Sequence, residues 1–252
     1  MIDRREFVVG LGGALMSSSS VLRSLKEARR IQVVAFDGFA VFDPTPVIGV
    51  ADAIVAGRGR ELVGAWRSRL FEYQWLRTLG GRYADFHQTA DDALTAASKS
   101  LNLAITSAEH ARLLDAQLTL VPWPDAADAV RALRAAGLRL AFLSNMTEHM
   151  LDDGARRARI RGEFELILST DRVKASKPDA RAYQMAVDAF RLRREEIAFV
   201  AFAGWDAAGA TWFGYPTVWM NRASAPVEEL SATPAAMTRD LTSVVDAVMK
   251  FR

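Results

Sequence analysis

The stretch Val33-Val34-Ala35-Phe36-Asp37-Gly38-Phe39 decides the fold. An apolar run of strand-forming residues ends in a single carboxylate, and a glycine follows at once. A short continuous apolar run closed by a turn signal reads as a fully buried strand. Strands buried on both faces belong to parallel sheets with helices on either side. In open α/β sheets, reactive groups sit just beyond the carboxyl ends of the strands. Asp37 occupies that place.

The chain then repeats the pattern. The first strand, 31–36, is followed by apolar runs at 138–143, 164–168, 197–202 and 217–220. Helical periodicity falls between them over 124–136, 148–158, 180–190 and 205–213. This alternation predicts an α/β class fold, a Rossmann-like, mostly parallel sheet flanked by helices. About 100 residues separate the first two strands, far more than a crossover needs. Their pattern is helical over 47–56, 61–79, 84–101 and 107–118. We therefore expect a helical cap domain over 47–123, inserted after the first strand between core segments 31–46 and 124–252. A cap over the strand ends would exclude water and shape a pocket.

Composition narrows the function classes. Of 252 residues, 50% are hydrophobic and 25% charged, with a net charge of only +2. No dense basic cluster is interleaved with aromatics, so no nucleic-acid partner is expected. The absence of cysteine excludes disulfides, thiolate catalysis and cysteine metal sites. The N-terminus stands apart. Arg4-Arg5 precede a weakly hydrophobic run from Gly10 to Met16 and then four serines, and the run is too short to span a membrane. Residues 1–30 resemble a twin-arginine export signal. That likeness implies the twin-arginine translocase as a partner and a periplasmic location, with a membrane tether if the leader is retained.

The later strands also end in polar residues of particular kinds. The second ends in Ser144-Asn145. The third leads through Ser169-Thr170-Asp171 to Lys177-Pro178-Asp179, with Pro178 suited to the first turn of a helix. The fourth leads through Ala203-Gly204-Trp205 to Asp206. Singly, Ser144, Asp179 and Asp206 could be helix caps, and Lys177 a surface charge. In a parallel sheet these points share one edge, so two carboxylates, a hydroxyl-amide pair and an ammonium converge there.

This constellation resembles the haloacid dehalogenase superfamily, with its order Asp, Ser/Thr, Lys, Asp. The likeness sharpens to the L-2-haloacid dehalogenase (haloacid dehalogenase type II) branch. It is carried by Ala35-Phe36-Asp37, Gly57-Arg58-Gly59-Arg60-Glu61, Trp66-Arg67 and Glu72-Tyr73-Gln74-Trp75-Leu76-Arg77. Leu143-Ser144-Asn145, Lys177-Pro178-Asp179 with Tyr183, and Trp205-Asp206-Ala207-Ala208-Gly209-Ala210 extend it. The resemblance implies a hydrolase that displaces halide from a short-chain (S)-2-haloacid through an aspartyl ester, without cofactor or metal. Asp37 would be the nucleophile, and Lys177 would keep it ionised and oriented. Asp206 would orient Lys177 or the hydrolytic water. Arg67 and Asn145 would cradle the halide. Ser144 and the backbone N–H groups of Gly38 and Phe39 would hold the substrate carboxylate. Tyr183 and Trp205 would complete the substrate side, and a homodimer is possible. Trp66, Tyr73 and Trp75 read as packing within the cap.

Two other readings stand beside this one. One is a related hydrolase of the superfamily acting on a different α-substituted acid or on a phosphate ester; phosphatases of the superfamily carry Asp-x-Asp at the first strand end and an acidic pair for Mg²⁺. Here Phe39 cannot donate a proton, and Trp205, not an acid, precedes Asp206. A small-acid-binding homologue without turnover is the other. The pocket reads as more apolar than the family pattern. Phe39-Ala40-Val41-Phe42 carries no hydroxyl, and Ala201 and Ala203 stand where the family has Ser and Asn.

Overall fold

The computed structural model describes residues 30–251. The export signal expected over residues 1–30 lies outside these residues except for Arg30. The central element is a six-stranded, wholly parallel sheet. Its first strand, β1 (Val33–Phe36), is buried along its whole length. Val34 and Phe36 belong to one apolar cluster and Val33 and Ala35 to the other, which is why the run is apolar without alternation.

A single turn, α1 (Gly38–Val41), follows Asp37 and leads into the short strand β2 (Phe42–Asp43). Four helices come next: α2 (Pro46–Ile54), α3 (Gly59–Leu79), α4 (Phe86–Ser100) and α5 (Ser107–Leu118). They are delimited by local signals. Asp85 caps α4 by accepting the Gln88 N–H, and Thr106 with Glu109 forms a capping box on α5. The chain returns through β3 (Val121–Pro122), which pairs antiparallel with β2. The insertion thus leaves and rejoins the core side by side. Trp66 packs inside the cap, 2% exposed, and donates its indole N–H to Ala90 O at 2.7 Å.

The core resumes with α6 (Ala126–Ala135), β4 (Arg139–Ser144), α7 (Glu148–Arg157) and β5 (Leu166–Ser169). Then come α8 (Ala180–Phe190), β6 (Ile197–Ala201), α9 (Gly204–Phe213) and β7 (Thr217–Met220). The sheet order β5-β4-β1-β6-β7 puts β1 in the interior. Residues of α6 and α7 pack on the Phe36 face, and those of α8 and α9 on the opposite face.

Three features depart from the sequence reading. A sixth strand, β8 (Ala236–Thr238), extends the edge beyond β7. It is three residues long and only partly buried, so it lacks the apolar run that marks the others. Helix α10 (Leu241–Lys250) follows, capped by Asp240, and covers the Phe36 face. Pro178, expected in the first turn of α8, lies one residue before the cap, because Asp179 takes that role by accepting the Arg181 N–H at 2.9 Å.

Candidate active site

Asp37 ends β1 and caps α1. Its Oδ2 accepts the Phe39 N–H at 3.0 Å. Its Oδ1 accepts Lys177 Nζ–H at 2.8 Å and Ser144 Oγ–H at 3.3 Å. Glycine at 38 permits this approach, since a Cβ there would sit 2.6 Å from Met146 Sδ and 3.0 Å from Ser144 Oγ.

Lys177 is 1% exposed, and its Nζ also donates to Asp206 Oδ2 at 2.6 Å. It lies 4.9 Å from the centre of the Phe199 ring. Two buried carboxylates therefore share one ammonium. Burial opposes that ammonium, yet Asp206 and then Asp37 outweigh it and hold its pKa above the ordinary lysine value. The carboxylates are undercompensated as a pair. Burial pushes Asp206 up to about 6, against the pull of Lys177 and with the help of Asp37. Tyr183 OH donates to Asp206 Oδ1 at 2.7 Å, and burial beside Asp206 raises its own pKa well above the phenol value.

The cap supplies the opposite wall from one stripe of α3. Arg67, Phe71, Gln74 and Thr78 are spaced to lie on one helix face. Arg67 Nη2 donates to Pro44 O at 3.3 Å; burial lowers its pKa and Asp43 resists that fall. A guanidinium stays protonated in such a setting. Gln74 Oε1 accepts Asn145 Nδ2–H at 2.8 Å, and Thr78 Oγ1 accepts the Ser176 N–H at 3.0 Å. Tyr83, just beyond this helix, donates to Asp171 at 2.5 Å.

Between cap and strand ends lies a cavity of about 60 Å³. Asp37, Ser144, Asn145, Lys177, Asp206 and Arg67 line it with polar groups, and Phe39, Phe71, Phe86, Phe202 and Trp205 with rings. At roughly 10–15 Å³ per water position, that space suits a ligand of a few heavy atoms. The described residues contain no group of three or more His, Asp or Glu side chains placed to hold a metal ion.

The structure brings most of the sequence-selected residues to this cavity and redirects several. Gly38 and Tyr183 do not line it. Tyr183 is fully buried behind Asp206, because α8 packs it against Phe199 and Phe213. Phe39 contributes its ring, while its N–H, expected on a substrate carboxylate, is spent on Asp37. The Ser144 hydroxyl likewise donates to Asp37 and accepts the Met146 N–H at 3.3 Å. The Phe39 N–H reaches Asp37 because Asp37 caps α1, where first-turn N–H groups converge, and the Ser144 hydroxyl reaches it from the end of the neighbouring strand β4. Sequence reasoning missed Gln74, Phe71, Phe86, Met146 and Phe202. Gln74 carried a signal: an uncharged polar residue seven positions after Arg67, within an aromatic run.

A model of the haloacid dehalogenase-like hydrolases matches residues 15–214. The (S)-2-haloacid dehalogenase of Pseudomonas sp. (strain YL) is 40% identical over 217 residues, 86% of this chain and 94% of its own length. A solved L-2-haloacid dehalogenase superposes with a TM-score of 0.85 at 35% identity, covering 87% of this chain and 99% of that one. The Xanthobacter autotrophicus L-2-haloacid dehalogenase, solved with chloropropionic acid covalently bound, gives a TM-score of 0.77 at 29% identity, covering 87% and 98%. Matched over residues 15–214 by the family model, and over nearly the whole length of these relatives, the chain belongs to the haloacid dehalogenase-like hydrolases, on their L-2-haloacid dehalogenase branch.

Proposed function

We propose that this protein hydrolyses short-chain (S)-2-haloacids to 2-hydroxyacids through an ester on Asp37. The observation that carries the reading is a buried carboxylate clamped by Lys177 at the floor of a small cavity, with Arg67 facing it from the cap. The relatives named (S)-2-haloacid dehalogenase support it. Asp37 Oδ2 accepts a single N–H, so it keeps a free lone pair and is the attacking oxygen. Its bond to the α-carbon forms as the carbon–halogen bond breaks, and the electron pair leaves with the halide. Arg67 and an Asn145 N–H stabilise the charge where it develops. Water then attacks the ester carbonyl of Asp37 and passes a proton to Asp206. The carbonyl carbon–oxygen bond to the product breaks, and the departing alkoxide takes that proton back to leave as the 2-hydroxyacid. Asp37 is released as a carboxyl that loses its proton to solvent. The Asp206 carboxylate accepts from Tyr183 and Lys177, and each oxygen retains a second lone pair for the proton from water.

The test is halide release from each enantiomer of 2-chloropropionate, with and without EDTA. We expect release from the (S) form alone, unaffected by EDTA. One displacement at carbon followed by hydrolysis at the Asp37 carbonyl inverts the centre, so the product is (R)-lactate. Retention of configuration, or cleavage of a phosphate ester that needs Mg²⁺, would sink the reading.

A pH profile tests Asp206. Its carboxyl is raised to about 6 in the free protein, and the ester neutralises Asp37, one of the influences that raise it, so in the ester the base form is lost below that value. We expect kcat to be flat at pH 6 and above and to fall by up to about tenfold per unit once pH drops below the lowered Asp206 value. A profile level down to pH 4 would remove Asp206 from the proton transfer.

We also propose that the leader exports the folded protein to the periplasm. The paired Arg4-Arg5 before the run from Gly10 to Met16 supports this. Retention of an Arg4→Lys/Arg5→Lys variant in the cytoplasm, against periplasmic recovery of the native chain, is the expected result. A homodimer rests on the family likeness alone, and sedimentation of the purified protein decides it.

A further inference from the structure

We infer that Gln74, on the cap helix, is a positioning residue that aims the Asn145 amide at the departing halide. The inference rests on the dehalogenase reading above. Asn145 Oδ1 accepts the Lys177 N–H at 2.8 Å and the Thr170 Oγ–H at 3.4 Å. Only the amide oxygen can accept a backbone N–H, so the orientation of the group is fixed. Its Nδ2 then donates one of two protons to Gln74 Oε1 at 2.8 Å. Asn145 lines the cavity, and one N–H is left for a ligand there.

Gln74 is 3% exposed, unusual for a glutamine unless its hydrogen bond is needed. It lies two helical turns from Arg67 on the same face of α3. One rigid helix therefore delivers the guanidinium and sets the angle of the amide. The bond also crosses from cap to core, so the two donors assemble only when the cap is seated.

Gln74→Met keeps the volume and removes the acceptor. Chloride is the harder, more strongly hydrogen-bonded halide, so loss of a donor harms chloride departure more than bromide departure. We expect kcat for 2-chloropropionate to fall roughly tenfold more than for 2-bromopropionate, with a similar Tm. In an Asn145→Ala background the same substitution should leave the bromide-to-chloride ratio unchanged, because Gln74 acts through that amide. An unaltered ratio in the single variant, or a shift that persists without Asn145, would overturn the inference. Bromide titration followed by tryptophan fluorescence gives a readout without turnover. Native protein that binds bromide but releases no halide from either substrate overturns the dehalogenase reading. In that case weaker bromide binding by Gln74→Met still supports the positioning role, and equal binding refutes it.

Discussion

Asp37→Asn is expected to abolish halide release, by roughly 10⁴-fold or more, while leaving the protein folded. The amide has one acceptor where the carboxylate has two. Oδ1 of Asp37 faces Lys177 and Ser144, and Oδ2 faces the Phe39 N–H. The asparagine oxygen will turn to the ammonium, and its NH₂ will then oppose the Phe39 N–H. Loss of that cap bond costs about 0.5–2 kcal/mol. Against it stands the removal of one charge from two carboxylates that share a single cation. Asp37 is one of the influences that raise Asp206, so its neutralisation should move the Asp206 carboxyl back toward its usual range. The two effects oppose, and we expect stability within about 1 kcal/mol of the native protein. The measurements are halide release, denaturant unfolding, and the mass of the acid-quenched Asp37 peptide after mixing with substrate. Native protein should carry the carboxyalkyl adduct and the variant should not. Halide release that survives the substitution would end the case for nucleophilic catalysis.

Much of this site is legible in the sequence alone, for identifiable reasons. β1 announces itself because both faces of Val33–Phe36 are buried, which demands an unbroken apolar run. Its end is marked by the switch to Asp37-Gly38. The same switch at Ser144, Lys177 and Asp206 places their side chains on one sheet edge, since parallel strands share a direction. What sequence could not provide is which donor serves which acceptor. Tyr183 looks like a pocket residue by likeness, but α8 turns it behind Asp206, where it supports the carboxylate. The Phe39 N–H looks free for substrate, but the turn of α1 folds it back onto the Asp37 carboxylate. Gln74 and Asn145 are 71 positions apart, and no local rule pairs them. Phe202 reads as the last residue of a strand, yet β6 ends at Ala201 and Phe202 faces the cavity. With Phe39 and Phe86 it supplies the apolar wall, and Ala203 adds to that wall.

The largest combined effect on stability and activity is expected from Lys177→Met. Methionine fills the volume of the buried stem, but Asp37 and Asp206 lose the cation 2.8 Å and 2.6 Å away. Breaking a buried pair by removing one partner costs about 3–5 kcal/mol, because the other charge is left uncompensated. Here two charges are left, so at neutral pH one carboxyl must take up a proton or the site must open to water. The sign of the pH dependence follows. In the native protein Lys177 has a folded pKa above its unfolded 10.5, so its stabilisation is whole below that value and fades as pH rises through the folded pKa. In the variant, the Asp206 carboxyl, already raised by burial, favours the folded state only when protonated. The variant's deficit should be largest at pH 8 and shrink as pH falls below about 6, where Asp206 already begins to protonate in the native protein. Denaturant unfolding of both proteins at pH 5 and pH 8 measures the difference. An equal deficit at both values would assign the loss to packing of the side chain rather than to its charge. A second substitution sharpens the test. Adding Asp206→Asn to Lys177→Met removes the carboxylate buried most deeply and keeps Asp37 with its Ser144 and Phe39 donors. If the charge account holds, the double variant is more stable than Lys177→Met at pH 8, although neither turns over substrate.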